Sequence, residues 1–151
     1  MTEFRKKIER MVSLIKIRQL QLEHEKSILQ NISTKRVEAK DDLQHYQRMY
    51  IEGVDRLNQE RQSSERKMLE ALERSIDLAK LRWHQKLQIL RKIEEEEQVQ
   101  SMVVQSAHRE LKKLEKLDER YDSQLKAQLG KIEQKSLDEF AIQNARRKLD
   151  N

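Results

Sequence analysis

The sequence predicts an all-α protein, a long two-helix antiparallel coiled-coil hairpin, on three observations. Its 151 residues contain no proline and only two glycines, so little interrupts a helix. Charged residues make up 39% of the chain and aromatics 4%. About 25% charge suffices for an ordinary globular domain, so the excess must coat a large surface around a narrow apolar seam. Finally, apolar residues recur every seven positions over most of the chain, which is the period of a coiled coil.

The first helix is expected over about residues 3–57. One column of its seam is Ile8, Ile15, Leu22, Leu29, Arg36, Leu43, Tyr50 and Leu57, broken only by Arg36. The companion column is Phe4, Met11, Arg18, Glu25, Ile32, Ala39, Tyr46 and Gly53, with polar gaps at Arg18 and Glu25. A period near 3.5 held over many turns implies a left-handed supercoil.

The reversal is expected over about residues 58–64. Asn58 to Arg66 is a run without an apolar residue. Ser63 or Ser64 is the expected N-cap of the second helix, because a serine hydroxyl accepts from the free amides of a first turn. Gly53 competes as a turn site, but one glycine inside a helical pattern costs only about 1 kcal/mol.

The second helix is expected over about residues 65–148. Its columns are Leu69, Ile76, Trp83, Leu90, Glu97, Val104, Leu111, Asp118, Leu125 and Ile132, and Leu72, Ala79, Lys86, Ile93, Gln100, Ala107, Leu114 and Tyr121. Glu97, Gln100 and Asp118 weaken them, as solvated imperfections of a long coil or as partner-facing positions. At about 1.5 Å per residue the helices reach roughly 80 and roughly 125 Å, so the second must overhang beyond about residue 120. Residues 1–151 thus form a single helical hairpin whose distal arm is only marginally stable when unbound, and Gly130 weakens it further.

The composition excludes several functional classes. Without cysteine there is no disulfide framework and no thiolate metal site, which fits a cytoplasmic location. The start is broken by charges every few residues, so neither a signal-peptide core nor a span of about 20 apolar residues is expected. The net charge of +5 comes from 32 basic and 27 acidic residues, too well mixed to imply nucleic acid.

Motifs of catalysis are missing as well. There is no phosphate-cradling glycine loop and no HExxH, and His24, His45, His84 and His108 stand singly. Glu94 to Glu97 spread around a helix and read as a solvated face. A two-helix coil does not readily enclose a water-excluding pocket, so the chain is expected to bind proteins, with no catalytic residue and no cofactor.

Two constellations stand out. Leu43, Tyr46 and Tyr50 lie at i, i+3 and i+7 on one stripe, either as core packing or as amphipathic anchors of an interface. The tail Leu137-Asp138-Glu139-Phe140-Ala141, followed by Ala145-Arg146-Arg147, sets an aromatic residue beside a basic terminus. Basic residues in a last turn complement the helix dipole, which leaves an exposed Phe140 unexplained.

This tail resembles the C-terminal signature of FliJ, the stalk component of the flagellar export ATPase complex, and of the wider family that includes YscO-type proteins of virulence injectisomes. Length, hairpin architecture and a longer C-terminal arm are similar too. The resemblance implies a fold similar to the γ-subunit stalk of rotary ATPases, with both termini in the pore of a hexameric type III export ATPase. On that basis Leu137, Asp138, Glu139, Phe140, Ala141, Ala145, Arg146 and Arg147 are the expected ATPase contacts. Leu43, Tyr46 and Tyr50 match the family's stripe for the cytoplasmic domain of the export gate, with Met68, Leu72 and Ser75 aligned to it on the second helix. Family members also engage export chaperones. A monomeric, non-enzymatic coupling protein follows, associated with the cytoplasmic face of the inner membrane. The alternative is a structural coiled coil that self-associates through its arm.

Overall fold

The computed structural model describes residues 2–150. Two helices hold almost all of them: α1, Thr2–Glu60, and α2, Arg66–Asp150. α1 runs three residues past its expected end because Asn58, Gln59 and Glu60 include no breaker, and Arg56 Nε donates to Glu60 Oε1 at 3.3 Å across the last turn.

The reversal occupies residues 61–65, and it corrects the expected serine cap. The amides of Ser63 and Ser64 donate to the Glu60 carbonyl at 3.2 and 3.1 Å, which gives a partner to an acceptor at the end of α1. α2 begins instead from Glu65, whose carbonyl accepts from the amides of Met68 and Leu69 at 3.0 and 3.1 Å. The serines precede that N-cap position by one and two residues. The Ser64 hydroxyl donates to Glu60 Oε2 at 3.5 Å.

Contacts divide the chain into two units, one of residues His24–Gln105 and one of Met1–Glu23 with Ser106–Asn151. In the first, the helices pair antiparallel: Arg36 meets Glu97, Tyr50 meets Trp83 and Gly53 meets Ile76, so partners approach in sequence toward the turn. Every member of the heptad columns in this unit is at least half-buried, and Ala39, Leu57, Ile76, Ala79 and Leu90 are buried. No described side chain of either unit is completely enclosed, as expected of a seam only two helices thick.

The polar members of these columns meet one another. Arg36 Nε donates to Glu97 Oε2 at 2.6 Å, and Gln100 Nε2 donates both to the Glu25 carboxylate and to the Glu25 carbonyl, the latter at 3.0 Å. Lys86 Nζ lies 3.7 Å from Asp42 Oδ2. Arg36, Glu97, Gln100, Glu25 and Lys86 therefore each have a partner, which removes most of the desolvation cost that an unpaired group imposes.

Gly53 marks a close approach. A Cβ built there would lie 2.9 Å from Ile76 Cγ1, the inner branch of a buried β-branched side chain, whereas one at Gly130 would meet nothing within 4 Å. Alanine in a helix is favoured over glycine by about 1 kcal/mol. Gly130→Ala is therefore expected to raise stability or helicity by about that amount. At Gly53 the overpacking cost of about 1–3 kcal/mol cancels or exceeds the gain. Thermal unfolding followed by circular dichroism separates the two variants, and a melting temperature raised by Gly53→Ala would contradict the close packing.

In the second unit Met11 and Leu22 of α1 and Leu111 of α2 are buried, with Phe4, Ile8, Ile15, Leu114, Tyr121 and Leu125 half-buried. Arg18 opens to solvent. Asp118 is half-buried, and its Oδ1 is enclosed without a hydrogen-bond partner, a local weak point. Cover on α2 ends at Gln128, about two turns beyond the expected point, and Ile132 of the predicted column is exposed.

Candidate protein-binding surfaces

Past Gln128 every described residue of α2 except Asn144 is exposed. Leu137, Asp138, Glu139, Phe140, Ala141, Ala145, Arg146 and Arg147 all lie on this uncovered helix. They do not share one face. Helical spacing brings Leu137, Phe140 and Ala141 together, at i, i+3 and i+4, and adds Asn144 at i+7. Asn144 was not singled out in the sequence, although its spacing from Phe140 carried the signal. Asp138, Glu139 and Arg146 point elsewhere around the helix, and Gln134 Nε2 holds Asp138 Oδ1 at 3.1 Å one turn away. Leu137 and Phe140 are each 62% exposed, well beyond what a packed apolar side chain shows. Arg147 and Lys148 occupy the last turn, where they complement the helix dipole.

The stripe Leu43, Tyr46 and Tyr50 faces the seam and is half-buried. The Tyr50 ring packs against Trp83 with centroids 5.6 Å apart, and Trp83 stacks on His84 at 5.6 Å. Tyr46 meets the edge of His45 at 5.3 Å. Across the turn Leu72 is half-buried, while Met68 and Ser75 are exposed. The stripe therefore takes part in packing the hairpin and keeps one edge at the surface.

The four histidines are exposed and separated. Of the acidic run, Glu94, Glu95 and Glu96 face solvent, and Glu97 turns inward to Arg36. Among the described residues no three His, Asp or Glu side chains are placed to hold a metal ion, and no helix is long and apolar enough to cross a membrane. The grooves on the surface are shallow and open. The exposed apolar and charged side chains of these surfaces can associate with a partner.

The family model of the flagellar FliJ protein matches residues 6–150 of the chain. No curated protein and no solved structure matches it.

Proposed function

The chain belongs to the flagellar FliJ family, which gives it a role in type III protein export, and from this we infer that it is a non-catalytic coupling stalk. In this reading its termini enter a hexameric export ATPase, and the hairpin end reaches the cytoplasmic domain of the export gate. The protein works in the cytoplasm at the inner-membrane apparatus, as a monomer that also meets export chaperones. The reading extends to the injectisome branch of the family as well as to flagella.

The observation that carries it is the arm beyond Gln128, with Leu137, Phe140 and Ala141 on one uncovered face. An isolated helix with an apolar stripe gains most of its stability from a partner that covers the stripe. The pore of a ring is such a partner, and Arg146 and Arg147 supply charge at its entry. At the other end, the half-buried Leu43, Tyr46 and Tyr50, with Met68 and Leu72, offer an aromatic edge to the gate.

Adding the purified chain to its cognate export ATPase is expected to raise ATP hydrolysis and the fraction of hexamer. An unchanged rate at saturating chain would end the stalk reading. The same exposed arm supports self-association as a second reading. Sedimentation decides between them: a mass independent of concentration fits the stalk, and a stable dimer fits self-assembly.

A further inference from the structure

We propose that the outer face of α1 near its start binds an acidic amphipathic helix of a partner protein. Leu14, Ile17 and Leu20 are 46%, 51% and 71% exposed, and Leu20 is the most exposed large apolar residue of α1. They point away from the seam, which α1 builds here from Met11, Ile15 and Leu22.

Their spacing of three residues makes one continuous ridge. Ridges of that row pack into the four-residue grooves of another helix at a crossing angle of about 20°. A shallow, open groove is lined by Lys6, Arg10 and Leu14 on one four-residue row and by Glu9, Ser13 and Ile17 on the next, and Leu20 continues the ridge beyond it. The ridge thus has the form that a third helix fits.

Charge identifies the kind of helix. Residues 2–20 hold six Lys and Arg against two Glu, in a chain whose totals are nearly balanced. Lys6 and Arg10 rim the groove, and Lys16 and Arg18 flank Ile17 and Leu20. A partner with apolar residues on one face and carboxylates beside them satisfies both features. A second copy would bring the same basic rim against itself. A lipid surface is a poor match for three apolar residues over two turns with a carboxylate in the groove, because interfacial helices bury a broad apolar face. The ridge excludes the tail beyond Gln128, and peptide binding is measured without an ATPase, so this assignment and the stalk reading can each fail alone.

The test uses the full chain and two labelled helical peptides of about 20 residues, alike in a leucine face and differing in glutamate or lysine flanks, read by fluorescence anisotropy. The acidic peptide is expected to bind and the basic one to bind at least about tenfold more weakly, a difference of about 1.4 kcal/mol. Leu14→Ser with Ile17→Ser and Leu20→Ser should weaken the acidic peptide by about tenfold or more with helicity retained. Lys6→Glu with Arg10→Glu should reverse the preference, and a tail variant should bind normally. The proposal is overturned if both peptides bind alike or if the triple variant binds as before. It is equally overturned if the same three residues govern binding to phosphatidylglycerol vesicles, or dimerisation in sedimentation.

Discussion

Replacing Phe140 and Arg146 together by alanine is expected to abolish stimulation of the export ATPase while leaving the protein as helical as before. Phe140 is 62% exposed and Arg146 is exposed, so neither supports the packing of the free chain. Alanine is also the best helix former, which makes an indirect loss through unfolding implausible. An aromatic and an arginine that become covered at an interface are the residue types that dominate binding energy, each costing about 2 kcal/mol or more when truncated. A combined loss on that scale weakens binding by about three orders of magnitude. Steady-state ATP hydrolysis titrated with the chain measures it, with exposed Gln143→Ala as a control. Normal stimulation by the double variant would remove the tail from the ATPase site, whatever the wild-type chain does.

Trp83→Ala is expected to lower stability by about 2–3 kcal/mol. Full burial of tryptophan corresponds to about 3–5 kcal/mol, and Trp83 is half-buried, which reduces the figure. Its ring lies against Tyr50, so truncation also exposes that tyrosine and forfeits an aromatic pair worth about 1 kcal/mol. Urea denaturation followed by far-ultraviolet dichroism gives the magnitude. Hydrogen exchange gives the location, since faster exchange should be concentrated in the unit of residues 24–105. A loss below about 0.5 kcal/mol would show that this aromatic cluster contributes little to the seam. The tyrosine stripe would then belong mainly to an external interface.

The heptad columns were legible because burial against a single partner helix imposes one period, and Ile8, Leu22, Ala39, Ile76, Leu90 and Leu111 obey it. The start of α2 is not legible from side-chain type because the serines are drawn back to the end of α1, and Glu65, a weak capping residue, takes the N-cap position. Taken singly, Arg36, Glu25, Glu97 and Gln100 are gaps in the columns. A reversal near residue 63 sets the gaps of one helix across from those of the other, and only that pairing explains them. In the tail, the motif drew attention to eight residues, while helical geometry groups Leu137, Phe140 and Ala141 and adds Asn144. The ridge of Leu14, Ile17 and Leu20 is not legible in the columns because its three-residue row winds from beside the seam at Leu14 to the opposite face at Leu20.

The pairing of Arg36 with Glu97 and of Gln100 with Glu25 has a consequence for how far α2 can slide along α1. A slip by one heptad, about 10 Å of axial travel, would keep most apolar residues facing apolar residues, and so the leucines alone resist it weakly. It would, however, set Glu97 against Leu29 or Leu43 and Arg36 against Leu90 or Val104, leaving two half-buried charges without their partners. The ion pair therefore acts as a ratchet stop. It holds the register of residues 24–105, and with it keeps Tyr50 against Trp83 and Gly53 against Ile76.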